Sequence, residues 1–162
     1  MKKKLVLSLG SNLGNRYAYL KQAKARIELA LNVKCTESQY YETPPWGEKN
    51  QAKFLNTVFT LETDVDLSSV FHLLQNIELQ LGRIKTKKWG PRTIDIDILF
   101  FGDDIVSDED LTIPHPQMHN RAFVMIPLVD LLPDFVHPVL QKTITKVTAN
   151  IENDTTNFLV NL

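Results

Sequence analysis

Disulfide chemistry and multi-cysteine zinc sites are closed to this chain, which holds a single cysteine, Cys35, in 162 residues. A lone thiol suits a reducing cytosol, the expected location. Neither sign of charge is in excess: 18 Lys and Arg stand against 19 Asp and Glu, for a net charge of −1. No global field therefore recruits nucleic acid or an acidic membrane, and any basic site must be local. Long apolar runs are missing too, with nothing near the roughly 18 residues of a membrane span. The apolar run behind Lys2, Lys3 and Lys4 ends at Leu9. A secretory core needs roughly 7–15 apolar residues and a small-residue cleavage site, so this run reads as a buried strand. No histidine pair has a zincin helix context, and residues 10–14 are too weak a glycine pattern for a phosphate loop.

What is present fits one domain over residues 1–162, long enough to bury about 70% of its unfolded surface. A strand over 4–9 leads through a Gly-Asn turn into a helix whose stripe is Leu20, Ala23, Ile27, Ala30 and Leu31, stopping at Asn32. Residues 33–43 read as a second strand. Pro44 and Pro45 end it, and a polar loop follows. Over 54–63 the alternation puts Leu55, Thr57, Phe59 and Leu61 on one face and Phe54, Asn56, Val58 and Thr60 on the other. Asp66 is a candidate N-cap for an amphipathic helix carrying Val70, Leu73, Leu74, Ile77 and Leu81, which Gly82 stops. A strand over 93–101 follows a basic loop. The remainder is loop-rich, with one more helix within 121–132. Two helices can cover one face of such a sheet, the ferredoxin-like α+β arrangement, leaving the opposite face for a site.

The sharpest feature lies in that last strand. Asp95 and Asp97 share a face, with Cα atoms about 6.5–7 Å apart, while Ile94, Ile96 and Ile98 take the other. Aspartate is disfavoured in strands, so the pair needs a reason. A solvated sheet face is the plain one. The residues just before argue otherwise: Arg83, Lys85, Lys87, Lys88 and Arg92 bring cations to the carboxylates. Paired carboxylates hold Mg²⁺ together with substrate phosphates, and guanidinium and ammonium groups meet phosphate oxygens. The combination points to phosphoryl transfer, with room for two bridged ions. His72 reads as a structural or surface residue. Most phenylalanines read as core, whereas Trp46 and Trp89, in Pro/Gly loops, are candidates to cover a flat ring.

The chain resembles the 6-hydroxymethyl-7,8-dihydropterin pyrophosphokinase family over nearly its whole length. The resemblance is carried in order by Gly10-Ser11-Asn12-Leu13-Gly14, Tyr41-Glu42-Thr43-Pro44-Pro45, Phe54-Leu55-Asn56, Ile77-Glu78, Gly82-Arg83, the stretch from Trp89 to Asp97, Leu111-Thr112-Ile113-Pro114-His115 and Asn120-Arg121-Ala122-Phe123. It implies a monomeric ferredoxin-like enzyme of folate synthesis that moves a diphosphate from ATP to the pterin alcohol and releases AMP. By the same resemblance, Asp95 and Asp97 bind two Mg²⁺ ions, and Arg83 and Arg92 neutralise the phosphates as the bond breaks. Lys85, Lys88 and Trp89 close over the nucleotide; Gln75, Ile98, Thr112, His115 and Arg121 contact it. Thr43, Pro44, Trp46, Phe54, Asn56, Trp89, Asp95 and Phe123 match the pterin pocket, where two aromatic rings flank the pterin. Trp46, Phe54, Asp110 and Pro116 depart from residues frequent in the family.

Two alternatives share the fold. Another two-metal nucleotidyl transferase or a cyclase would also use paired aspartates, and is separated by the identity of the product released from ATP. A non-catalytic RNA-binding module would need exposed aromatics and basic residues along its strands. Here the cations cluster in one loop beside acidic residues, so small molecules, not nucleic acid or a membrane, are the expected partners.

Overall fold

The computed structural model describes residues 1–45, 49–84, 90–149, 151 and 158–160. In chain order the elements are β1 (Lys3–Ser11), α1 (Arg16–Leu31), β2 (Thr36–Glu37), β3 (Tyr40–Thr43), β4 (Phe54–Thr63), α2 (Leu67–Gln80), β5 (Asp95–Phe101), β6 (Val106–Ser107), β7 (Thr112–Ile113), a 3₁₀ turn at Met118–Asn120, α3 (Ala122–Leu131), α4 (Ile144–Thr148) and β8 (Phe158–Val160). The main sheet is antiparallel in the order β5-β1-β4-β3-β8, with β2 also paired to β4. The fold is ferredoxin-like α+β.

Local chemistry sets the helix ends where the sequence placed them. The Asn15 side chain accepts from Ala18 N at the start of α1, and Asn32 closes it in the left-handed region at φ 52°, which asparagine tolerates well. Asp66 caps α2 by accepting from Ser69 N at 3.0 Å. Both helices bury their stripes on one sheet face: Leu20, Ala23 and Ile27 from α1 and Val70, Leu74 and Ile77 from α2 meet Leu5, Leu7, Phe59 and Ile96. Each such side chain contributes about 1.5–3 kcal/mol by leaving water.

The structure corrects four expectations. The strand over 33–43 is split into β2 and β3, because the Ser38 hydroxyl takes a place in the ladder, accepting from Val58 N at 2.9 Å. The last long strand begins at Asp95, not residue 93. Pro91 has no N–H to pair, and Arg92 bonds instead to Asn12, through its N–H to Asn12 Oδ1 (2.9 Å) and its C=O from Asn12 N (3.2 Å). Gly10 and Ser11 belong to β1 and not to a turn. Finally, the second sheet face is only half free. Val124, Met125 and Leu128 of α3 and Ile144 and Val147 of α4 pack there on Val6, Val58 and Phe100. A register shift in the β1–β5 ladder between Val6 and Leu7 turns both Leu99 and Phe100 to that side. The uncovered half of this face is floored by Ser8, Gly10, Asn56, Asp95 and Asp97.

Candidate active site

Two cavities meet over that uncovered half. The narrower is a cleft between β3, β4 and the start of α3. Thr43, Pro44, Phe54, Asn56 and Phe123 line it, with Ser8, Gly10 and Gly90. Asn56 Nδ2 donates to Thr43 Oγ1 at 2.5 Å, which fixes the amide across the strand pair. Gly10 lies opposite both Asn56 and Asp95 in the ladders. A Cβ there would come within 2.6 Å of Asn56 Oδ1, so the floor needs glycine at that position.

The wider groove runs between α2, β5 and the segment before α3. Gln75, Arg83, Ile98, Thr112 and His115 line it, together with Phe71, Glu78, Asp110 and Pro116. Among the described residues, four belong to both cavities: Arg92, Asp95, Asp97 and Arg121. The expected residues Trp46, Lys85, Lys88 and Trp89 lie outside the described residues.

The shared wall is dense in charge. Arg83 Nη1 donates to Asp95 Oδ1 at 2.9 Å and also pairs with Glu78; Arg92 Nη1 donates to Asp95 Oδ2 at 3.2 Å. Burial, with the charge of Asp95 beside it, pushes the Asp97 carboxyl up to about 8. Burial likewise pushes Glu78 up to about 7, against the pull of Arg83. Two crowded carboxylates on one strand face are the hard oxygen donors that suit a magnesium ion, and a cation would relieve their repulsion. Among the described residues no group of three or more metal-binding side chains exists. Magnesium in phosphoryl-transfer sites is commonly held by one or two carboxylates with phosphate oxygens and water. Burial and the Arg121 charge push His115 down to about 4. Its Nδ1 accepts from Gln117 N at 3.2 Å, so the neutral ring carries its proton on Nε2 and is a donor.

Sequence reading missed Gly10 and Glu78 as site residues. Each left a signal: a glycine inside a strand pattern, and a glutamate four residues after Leu74 on the apolar stripe of a helix.

The fold and the shared wall of carboxylates and guanidinium groups define a transferase working on a phosphorylated co-substrate. Comparison with known proteins gives the family. The profile of 7,8-dihydro-6-hydroxymethylpterin-pyrophosphokinase matches residues 6–133. The chain is 42% identical to the 2-amino-4-hydroxy-6-hydroxymethyldihydropteridine pyrophosphokinase of Bacillus subtilis, over 77% of this chain and 75% of that one. It is 40% identical to the enzyme of the same name from Haemophilus influenzae, over 82% and 83%. This chain belongs to the 7,8-dihydro-6-hydroxymethylpterin pyrophosphokinase family. The solved structure of wild-type Plasmodium falciparum HPPK-DHPS with pteroate superimposes with a TM-score of 0.78 at 17% identity, a likeness of fold. It covers 100% of this chain and 46% of that longer one. Among the described residues no helix is long and apolar enough to cross a membrane.

Proposed function

We propose that this chain transfers the diphosphate of ATP to the hydroxymethyl group of 6-hydroxymethyl-7,8-dihydropterin, giving AMP and the pterin diphosphate for folate synthesis. Acceptor and donor occupy the cleft and the groove. The observation that carries this reading is the shared wall, since Arg92, Asp95, Asp97 and Arg121 alone among the described residues touch both cavities. A hydroxymethyl oxygen at the mouth of the cleft faces the diphosphate in the groove. It attacks the β-phosphorus as the bond to the α-phosphate oxygen breaks; AMP departs with that oxygen, and the hydroxyl proton leaves to solvent.

The residues have distinct parts. Phe54 and Phe123 stack on the pterin, Asn56 reads its polar edge, and Thr43 holds Asn56. Asp95 and Asp97 would hold two magnesium ions with the phosphates; bound magnesium would supply positive charge that offsets the negative charge of the transferring group. Arg83 and Arg92 pair with Asp95 in the free protein and turn donors to the phosphate oxygens as charge shifts to the leaving group. His115 donates from Nε2, while Gln75, Ile98, Thr112 and Arg121 bound the nucleotide. By the family resemblance, Lys85, Lys88 and Trp89 are assigned to nucleotide binding, and Trp46 and Trp89 to the pterin. Residues 1–162 act as one domain, a cytosolic monomer with no nucleic-acid or membrane partner.

Mass analysis of a mixture of the protein, Mg²⁺, ATP and the hydroxymethyl pterin tests the reaction. AMP and the pterin diphosphate are expected. ADP with a pterin monophosphate, or free pyrophosphate, would reject it.

Variants at two positions test the cleft. Phe54→Ala removes a stacking face, so pterin affinity should fall by roughly 10-fold. ATP-analogue affinity should change little, and Phe54→Tyr should be mild. Calorimetric titration with the analogue present reads this; a large loss of melting temperature with pterin affinity intact would make Phe54 core. Gly10→Ala should be worse for the pterin, because the new methyl displaces Asn56 from Thr43. Affinity within twofold of wild type would show that the floor yields and that the close approach is not needed.

A further inference from the structure

Glu78 is buried, with 7% of its surface exposed. Two local effects oppose a glutamate at this position. It lies on the apolar stripe of α2, four residues after Leu74, and in the last turn of the helix, where the macrodipole disfavours negative charge. Its contacts offer the compensation. One atom, Oε2, accepts both from Arg83 and from the backbone N–H of Ile96, the latter at 3.3 Å. Ile96 is the residue between Asp95 and Asp97. Arg83 in turn reaches Asp95 Oδ1 at 2.9 Å.

We propose that Glu78 is a positioning residue for diphosphate transfer: it holds the Arg83 guanidinium at the wall of the groove and pins the backbone between the two aspartates. The inference rests on the reaction proposed above. Arg83 is half-buried, so stripping it of every carboxylate would be costly. With Glu78 in place, Asp95 can turn its oxygens toward the groove while Arg83 keeps one partner. A guanidinium has five N–H donors, so those not given to Glu78 stay free for phosphate oxygens. Without Glu78, Arg83 would remain clamped on Asp95, or would wander.

Glu78→Gln tests this, because it keeps the size and one acceptor oxygen while removing the charge and turning the other oxygen into an N–H donor. We expect kcat to fall by roughly 10- to 100-fold. Pterin KM should stay within about twofold, and the melting temperature should hold or rise as a buried charge is lost. The deciding measurement is a double-mutant cycle with Arg83→Ala. If Glu78 acts through Arg83, Glu78→Gln costs nothing further in the Arg83→Ala background. Calorimetric binding of a non-hydrolysable ATP analogue gives a readout apart from turnover, and should show weaker binding with the same cancellation. Wild-type kcat in Glu78→Gln, or losses that multiply across the two variants, would overturn the proposal. So would a lower melting temperature with kcat unchanged, which would leave Glu78 a structural residue only. If the wild-type protein yields no AMP and pterin diphosphate, the reaction itself fails, and this inference with it.

Discussion

Asp97→Ala should cut turnover by roughly a thousandfold or more while the metal-free protein melts no lower than wild type. The activity loss follows from position. Asp97 shares a strand face with Asp95, lies on the wall common to cleft and groove, and on the proposed reading would supply half of the carboxylate oxygens for magnesium. The stability follows from cost. Its carboxyl is pushed up to about 8 by burial and by Asp95. A carboxyl whose folded pKa lies above its unfolded value binds more protons folded than unfolded between the two. Stability therefore falls as pH rises from about 4 to about 8. Melts in a chelator should show this slope in wild type and a shallower one in Asp97→Ala. Asp95→Ala should lose activity to a similar degree but leave Arg83 and Arg92 short of a partner, so its melt should drop. Normal turnover by either folded variant at limiting magnesium would end the metal assignment.

The second large effect is expected at Arg92. Its backbone N–H donates to Asn12, its Nε to Gly90 O at 3.3 Å, and its Nη1 to Asp95. A guanidinium held at two points, on a backbone pinned at a third, is poised before the nucleotide arrives, and groups preorganised toward developing charge act mainly on the transition state. Arg92→Ala should lower kcat by roughly 100- to 1,000-fold, and analogue binding by less than 10-fold. Arg83→Ala should follow the same pattern more weakly. Arg92→Lys should rescue little, since an ammonium cannot reproduce the planar fork. Steady-state kinetics beside calorimetry separate the two quantities. If both alanine variants only weaken nucleotide binding, the arginines position the ground state and do not help break the bond.

The strand with Asp95 and Asp97 was legible because two aspartates against Ile94, Ile96 and Ile98 contradict strand preference so sharply. Caps at Asp66 and Asn32 were equally plain, being decided within one turn of chain. The half-covered second face was not legible. α4 is too short to show a helical period, and α3 is apolar on most sides, so neither advertises which face it packs on. The bulge at Leu99 was hidden for a similar reason: an unbroken run of Ile98, Leu99, Phe100 and Phe101 has no alternation to interrupt. Pairing between distant groups, as between Glu78 and Ile96, depends on how a helix docks and leaves no trace in spacing.

Asn12 has a consequence for how the molecule comes into being. Its amide nitrogen donates to Gln51 and Ala52 O, and its carbonyl oxygen accepts from Arg92 N, at separations of 39, 40 and 80 residues. Closing loops of that length is entropically costly, and contacts of such high order form slowly. The helices can form from neighbouring residues, but the corner where Asn12 gathers three stretches of chain needs nearly the whole topology. Catalytic competence should thus lag behind helix content during refolding, so that a chain with its ellipticity restored is still an inactive one.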